Sequence, residues 1–109
     1  MGLEEKHCAP CEGNTPPLPD NEEEKFLGQL EGWELKREGM HRIEKEFSFN
    51  DFRESMLFVN KVAEVANTED HHPDIFISYS KVRITLSTHA VKGLSENDFI
   101  VASKIDKQV

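Results

Sequence analysis

The sequence predicts an α+β domain: a four-stranded antiparallel sheet with three helices packed on one face, in the order helix-strand-strand-helix-strand-strand-helix. Three observations predict it. The run DFRESMLFVNKVAEVANTED carries apolar residues at helical spacing. The runs on either side of it alternate apolar and polar residues with a period of two. Cap residues and turn formers separate these runs at short intervals.

The elements follow in order. Residues 1–19 read as a flexible tail, because HCAPCEGNTPPLP is crowded with proline, glycine and short polar residues. Residues 20–109 read as a single domain. In DNEEEKFLGQLEGW, Asp20 is the expected helix cap and Glu23 its partner at the third helical position. Phe26, Leu27 and Leu30 form the apolar stripe, and Gly32 is the expected stop. WELKREGMHRIEKEFSFN reads as a hairpin with Gly39 near its turn. Ile43, Phe47 and Phe49 share one face of its second strand, interrupted by Lys45. Asn50 or Asp51 caps the long helix, with Glu54 as reciprocal partner of Asp51. Phe52, Met56, Val59, Ala63 and Ala66 recur at helical spacing, widened by Phe58, Val62 and Val65. This helix ends before His71-His72-Pro73, since proline disfavours helix at the residue preceding it. Two strands follow, Ile75–Tyr79 and Val82–Thr88, around a turn near Ser80-Lys81. The last helix starts at GLSENDF, with Ser95 as cap, Asp98 three residues on, and Leu94 and Phe99 as a hydrophobic staple. Ala102 and Ile105 continue its buried face.

Length and charge bound the function. A chain of 109 residues makes one domain with a thin core, which a subunit interface would help. Apolar residues at 37% and charged residues at 31% fit a globular protein rather than a disordered one. A formal net charge of -8 argues against general affinity for nucleic acid or for anionic membranes. No apolar run is long enough to span a bilayer, and MGLEEKHCAPCEG lacks a secretory apolar segment. A cytoplasmic protein is the expectation. Cys8 and Cys11 close too small a loop to staple a domain, and they suit a reducing compartment.

The chemistry concentrates in TEDHHPD and STH. His71 and His72 stand at a helix-to-strand junction, and His89 stands just past a strand end. Such positions are held by rigid elements yet open to a ligand. Imidazole changes charge near neutral pH, so two such rings can divide acid and base roles. The plainer reading is two polar turn residues and an unrelated third histidine. Three histidines also suggest a metal, but neighbours on extended chain point opposite ways and no HExxH spacing is present. The HCAPC run of His7, Cys8 and Cys11 can chelate a soft metal, although a second ligand pair is missing. Asp70 and Asp74 flank the histidine pair, and Asp98 has helix capping as its simplest role. Trp33 and Phe76 offer flat faces for stacking, against the commoner role of an aromatic ring in a core.

Taken together, HHPD, Tyr79, Val82, Ile84, Leu86, STH, GLS and Asp98 resemble the pterin-4a-carbinolamine dehydratase family. Gly32-Trp33, the FSF strand, Phe52, Phe58, Val62 and Ala63 resemble its first half, so the likeness covers about residues 20 to 106. The resemblance implies the same α+β fold. It implies dehydration of 4a-hydroxytetrahydropterin to quinonoid dihydropterin, in recycling the pterin of aromatic amino acid hydroxylases, with no cofactor and no metal. Catalytic roles carry over to His71 and His89, with His72 and Asp98 also in the site. Pterin contacts carry over to Trp33, Pro73, Ser87 and Thr88. A homodimer or homotetramer is implied, with no direct nucleic acid partner. The alternative is a noncatalytic dimerisation or regulatory module that binds a transcription factor or a hydroxylase. Two departures stand out. Asn67 replaces a glutamate common four residues before the first histidine, and Lys92 replaces a glycine before Gly93.

Overall fold

In the computed structural model, which describes residues 2–9 and 15–109, the expected architecture is present. The elements are α1 (Asp20–Leu27), β1 (Glu34–Lys36), β2 (Arg42–Ser48), α2 (Phe52–Glu69), β3 (Asp74–Ser78), β4 (Lys81–Leu86) and α3 (Glu96–Asp106). Short 3-10 turns occupy Leu3–Glu5 and His89–Val91. The sheet is antiparallel throughout, in the order β1-β2-β4-β3. Its two hairpins therefore meet along the β2–β4 seam, where Ile43 pairs with Leu86 and Phe47 with Val82.

Period-two alternation sends one set of side chains into the core. Ile43, Val82, Ile84 and Leu86 are fully buried in one cluster with Phe58 and Val62 of α2 and Phe99, Ala102 and Ile105 of α3. Full burial of a side chain such as Ile84 contributes about 2 kcal/mol. The rings of Phe47 and Phe49 lie 4.7 and 5.1 Å from that of Phe58. Lys45 interrupts the β2 face without a buried orphan charge. Its ammonium reaches Asp106 at 2.9 Å and the Glu31 carbonyl at 3.0 Å, and its stem crosses toward the Phe47 ring.

Helix ends explain where the chain turns. Asp51 accepts from the Glu54 N–H at 2.9 Å and caps α2, while the Glu54 carboxylate accepts from the N–H of Asn50 rather than of Asp51. Asp70 takes a left-handed conformation, φ 52°, and stops α2. The His71 N–H then bonds back to the Ala66 carbonyl, so the histidine leaves the helix at a fixed angle. Ser95 and Asp98 form the complete reciprocal box at the start of α3, with Leu94 and Phe99 fully buried beside it.

Several expectations are corrected. Asp20 does not cap α1. Pro19 holds that position, and Glu23 turns inward to meet Arg37 Nε at 3.1 Å and His41 Nδ1 at 2.7 Å. The β1–β2 hairpin folds over α1, and the Arg37 guanidinium and the His41 ring hold a carboxylate that has no solvent exposure. The helix stops at Leu27 with Gly28 as its cap, and Gly32 instead supplies a positive φ in the following loop. Tyr79, expected as the last strand residue, instead makes the β3–β4 turn with φ 51° and stays exposed. Phe76 lies on the outer sheet face, with the Arg83 guanidinium 5.0 Å from its ring centre.

The largest departure concerns residues 2–9, read as tail. They are packed. Leu3 is buried, Lys104 Nζ donates to the Glu4 carbonyl at 2.9 Å, and Lys6 meets Glu96 at 2.6 Å. This layer explains why α3 is buried on nearly every side, with Asn97 through Ser103 and Ile105 all shielded. The sequence expected one buried face.

Residues 16–19 run beside the loop after β4, where the Leu18 N–H bonds to the Leu94 carbonyl. A Cβ at Gly93 would stand 2.9 Å from Pro17 Cβ, a ring atom that cannot rotate away. Gly93→Ala is therefore expected to cost about 1–3 kcal/mol through forced separation of these segments, read as a lower midpoint in urea denaturation.

Candidate active site

Four stretches of chain converge on one cavity of about 440 Å³. Glu69, Asp70, His71 and His72 come from the end of α2 and the link to β3. Ser87, Thr88, His89 and Ala90 come from the loop after β4. Asn97 comes from the first turn of α3, and Cys8 and Ala9 from the N-terminal segment.

Asp98 organises the cavity from below. Its carboxylate is wholly buried, yet both oxygens are engaged. Oδ1 meets His71 Nε2 at 2.6 Å. Oδ2 accepts from the Thr88 hydroxyl at 2.7 Å and from the Ser95 N–H at 3.0 Å. A carboxylate is an acceptor, so His71 presents Nε2–H to it and Nδ1 is the ring nitrogen left to exchange a proton. Thr88 is held further by the Ser95 hydroxyl at 2.8 Å and by reciprocal backbone bonds with Gly93. That bridge closes the loop that presents His89, which is exposed on the cavity wall. Lys92 adopts a left-handed φ of 57° within it, the conformation that glycine takes most readily.

His72 and His71 diverge, as extended neighbours must. His72 Nε2 meets Asn67 Oδ1 at 3.0 Å near the surface, so Asn67 pairs with the second histidine and not the first. Among the described residues, the histidines of this cavity do not bring three ligand atoms within metal-sharing distance. Asp20, Glu23 and His41 do, within 4.8 Å, but Arg37 already occupies that carboxylate.

Of the residues singled out from sequence, His71, His72, His89, Ser87 and Thr88 line the cavity, and Asp98 lies directly beneath it. Trp33 does not line it. Its indole N–H donates to Asp106 at 3.1 Å and its ring packs edge-on against Phe47, at the far end of α3. Pro73 is half-buried where the chain enters β3 and is also absent from the lining. Phe76 is on the opposite face of the sheet.

Sequence reasoning missed Cys8, Ala9, Glu69 and Asn97. Glu69 is the last residue of α2. In the structure its side chain is 3% exposed, and it accepts from the Cys8 N–H at 2.8 Å and meets His7 Nδ1 at 3.0 Å. Burial alone would raise its carboxyl. The Cys8 N–H, His7 and the Lys104 ammonium at 3.6 Å outweigh that and hold it below the ordinary carboxylate value. The same carboxylate works on Cys8 in the opposite sense. Burial first, then the charge of Glu69, push the Cys8 thiol up to about 12. It remains a thiol at neutral pH, a weak nucleophile and a poor metal ligand. The other cysteine of HCAPC, Cys11, lies outside the described residues.

Comparison with known proteins finds similar chains over most of this length. A family model described as pterin 4 alpha carbinolamine dehydratase matches residues 16–108. Relatives that bear the family's name include one from Nitrosomonas eutropha, 50% identical over 95% of this chain and 90% of its own length. Another, from Alkaliphilus metalliredigens, is 45% identical over 97% of this chain and 95% of its own. A crystal structure of a transcriptional coactivator/pterin dehydratase from Brucella melitensis superposes with a TM-score of 0.79 at 35% identity, covering 84% of this chain and 97% of that one. A pterin dehydratase-like RuBisCO assembly factor of the alpha-carboxysome shares the fold, with a TM-score of 0.61 at 20% identity over 71% of this chain and 88% of that one.

The depressed Glu69 carboxyl gives the site a pH signature. Its stabilisation is complete above its unfolded value, ordinarily 4.5, and is lost as pH falls through the lower folded value. The stability difference between the native chain and Glu69→Gln should be largest near neutral pH and shrink progressively below about pH 4.5, measured by urea denaturation across that range.

Proposed function

We propose a specific activity for this chain, which belongs to the pterin-4a-carbinolamine dehydratase family: dehydration of 4a-hydroxytetrahydropterin to quinonoid dihydropterin by histidine acid–base catalysis. The observation that carries the reading is that His71, locked to Asp98 at 2.6 Å, and His89, from a separate loop, line the same cavity.

The reaction loses the C4a hydroxyl as water and the proton from N5. No electron leaves the pterin. One group must give a proton to the departing hydroxyl, and another must accept the N5 proton. His71 suits either transfer, because Asp98 fixes its tautomer and supports the imidazolium whenever Nδ1 is protonated. His89 takes the complementary part. Thr88 is already engaged through its hydroxyl and its backbone, so its part is to hold Asp98, and Ser87 is left to meet the polar edge of the ring. His72, paired with Asn67 at the cavity rim, serves as a binding group in this reading. Trp33 acts at most through the far end of α3, and Pro73 by setting where β3 begins.

The reading places the protein in tetrahydropterin recycling in the cytoplasm, beside an aromatic amino acid hydroxylase. Among the described residues, no helix is long and apolar enough to cross a membrane. A second copy of the chain is the partner that its surface favours. Phe52, Leu57 and Tyr79 are 50%, 58% and 65% exposed, and they share a concave patch with Met56. An apolar patch of this kind on a small domain favours association.

Two outcomes test these assignments. His71→Ala and His89→Ala should each lower the dehydration rate of transiently generated carbinolamine by about 10²–10⁴-fold, with circular dichroism unchanged. Unchanged rates in both variants would remove the assigned roles, and pterin binding without turnover in the native chain would favour the noncatalytic regulatory module. Leu57→Glu should shift the native homo-oligomer toward monomer in sedimentation velocity. A native chain that sediments as a monomer contradicts the proposed association.

A further inference from the structure

The N-terminal segment touches the cavity at two points, and both lie next to the residues that hold the proton-transfer pair. Glu69 ends α2 two positions before His71, and Asn97 precedes Asp98 in α3. The Cys8 N–H donates to Glu69 Oε1 at 2.8 Å. Asn97 grips the backbone of Ala9 from both sides: the Ala9 N–H donates to Oδ1 at 3.0 Å, and Nδ2 donates to the Ala9 carbonyl at 2.6 Å. This two-way bond mimics a strand partner and fixes the segment's register. The segment is anchored further back as well, by Leu3 in the core and by Lys104 on the Glu4 carbonyl.

Glu69 strengthens the case. A carboxylate only 3% exposed is costly unless it is paired. Its partners are the Cys8 N–H, His7 and Lys104, two of them on this segment. Its charge has no part in the proton transfers assigned to the histidines. The bond between His71 and Asp98 crosses from the end of α2 to the start of α3. The Glu69–Cys8-Ala9–Asn97 path makes the same crossing a second time, along the cavity wall.

We propose that residues 2–9 are a positioning strap: by clamping Glu69 to Asn97 they hold the end of α2 against the start of α3, and so align His71 with Asp98 and wall the cavity. Glu69 and Asn97 are positioning residues that act through Cys8 and Ala9. The effect on turnover rests on the dehydratase reading above, whereas the effect on the histidine does not.

The test uses the full chain with Asn97→Ala and, separately, Ala9→Pro, which deletes the N–H that Asn97 accepts while leaving both helices untouched. The readouts are kcat and KM for carbinolamine dehydration, well below the melting temperature, and the ¹⁵N-edited signals of the His71 ring. Misalignment of an acid–base group should lower kcat by about tenfold, with KM changing less. The His71 ring signals should shift in both variants. The double variant should lose no more than the worse single, because both changes break one contact. Should Asn97→Ala fail to fold, Ala9→Pro still decides. A folded variant with native kcat and unmoved His71 signals overturns the strap. If the native chain itself shows no dehydration, the assigned reaction fails, and the His71 signals alone decide the strap.

Discussion

One buried carboxylate organises this molecule. Asp98 has no exposed surface, and an unpartnered charge there would not be tolerated. Its hydrogen bonds tie together three parts of the chain: the start of its own helix, the loop after β4 ten residues back, and the chain just past α2, 27 residues back. Ser95 makes it a helix cap, Thr88 makes it the anchor of the loop after β4, and His71 makes it the support of an imidazole on the cavity wall. Structure and chemistry thus share one residue. The helix cannot start correctly without the group that orients the histidine. Removing that group would at once expose the Ser95 N–H, the Thr88 hydroxyl and His71 to the loss of a partner.

The fold was legible because its signals were local. Period two along Val82, Ile84 and Leu86, period 3.6 through Phe58, Val62 and Ala66, and the Ser95–Asp98 box are each readable within a few residues. The convergence of His71 and His89 was legible only through resemblance to a family, since nothing in their spacing requires one cavity. Trp33 shows the opposite failure. An aromatic side chain beside a glycine gave no indication of which end of α3 it would cover, and its indole found Asp106.

What stayed illegible was non-local. HCAPC is polar and turn-rich, so its composition reads as tail. The order of its first three residues comes from partners outside the segment: Glu69 lies 61 residues from Cys8, and Asn97 lies 88 from Ala9. Glu69 reads locally as one more acid at a helix end, in a chain rich in them. Glu23 misled in the same way, because the capping-box spacing was real but Arg37 and His41 offered a stronger claim on the carboxylate. In both cases a charge that local rules send to solvent is drawn inward by cations and amide donors from elsewhere.

The burial of α3 on nearly every side has a kinetic corollary. Its inner face can dock on the sheet as soon as the two hairpins meet, but its outer face waits for residues 2–9, whose contact between Lys104 and Glu4 spans 100 positions. Closing a loop of that size costs about 4 kcal/mol of chain entropy before any contact forms. Folding should therefore proceed with the sheet and α2 first and the circle of chain closed last. Until that closure, the apolar surface of α3 that Leu3 covers stands open to water, and nascent or refolding chains are most prone to stick to one another in that interval.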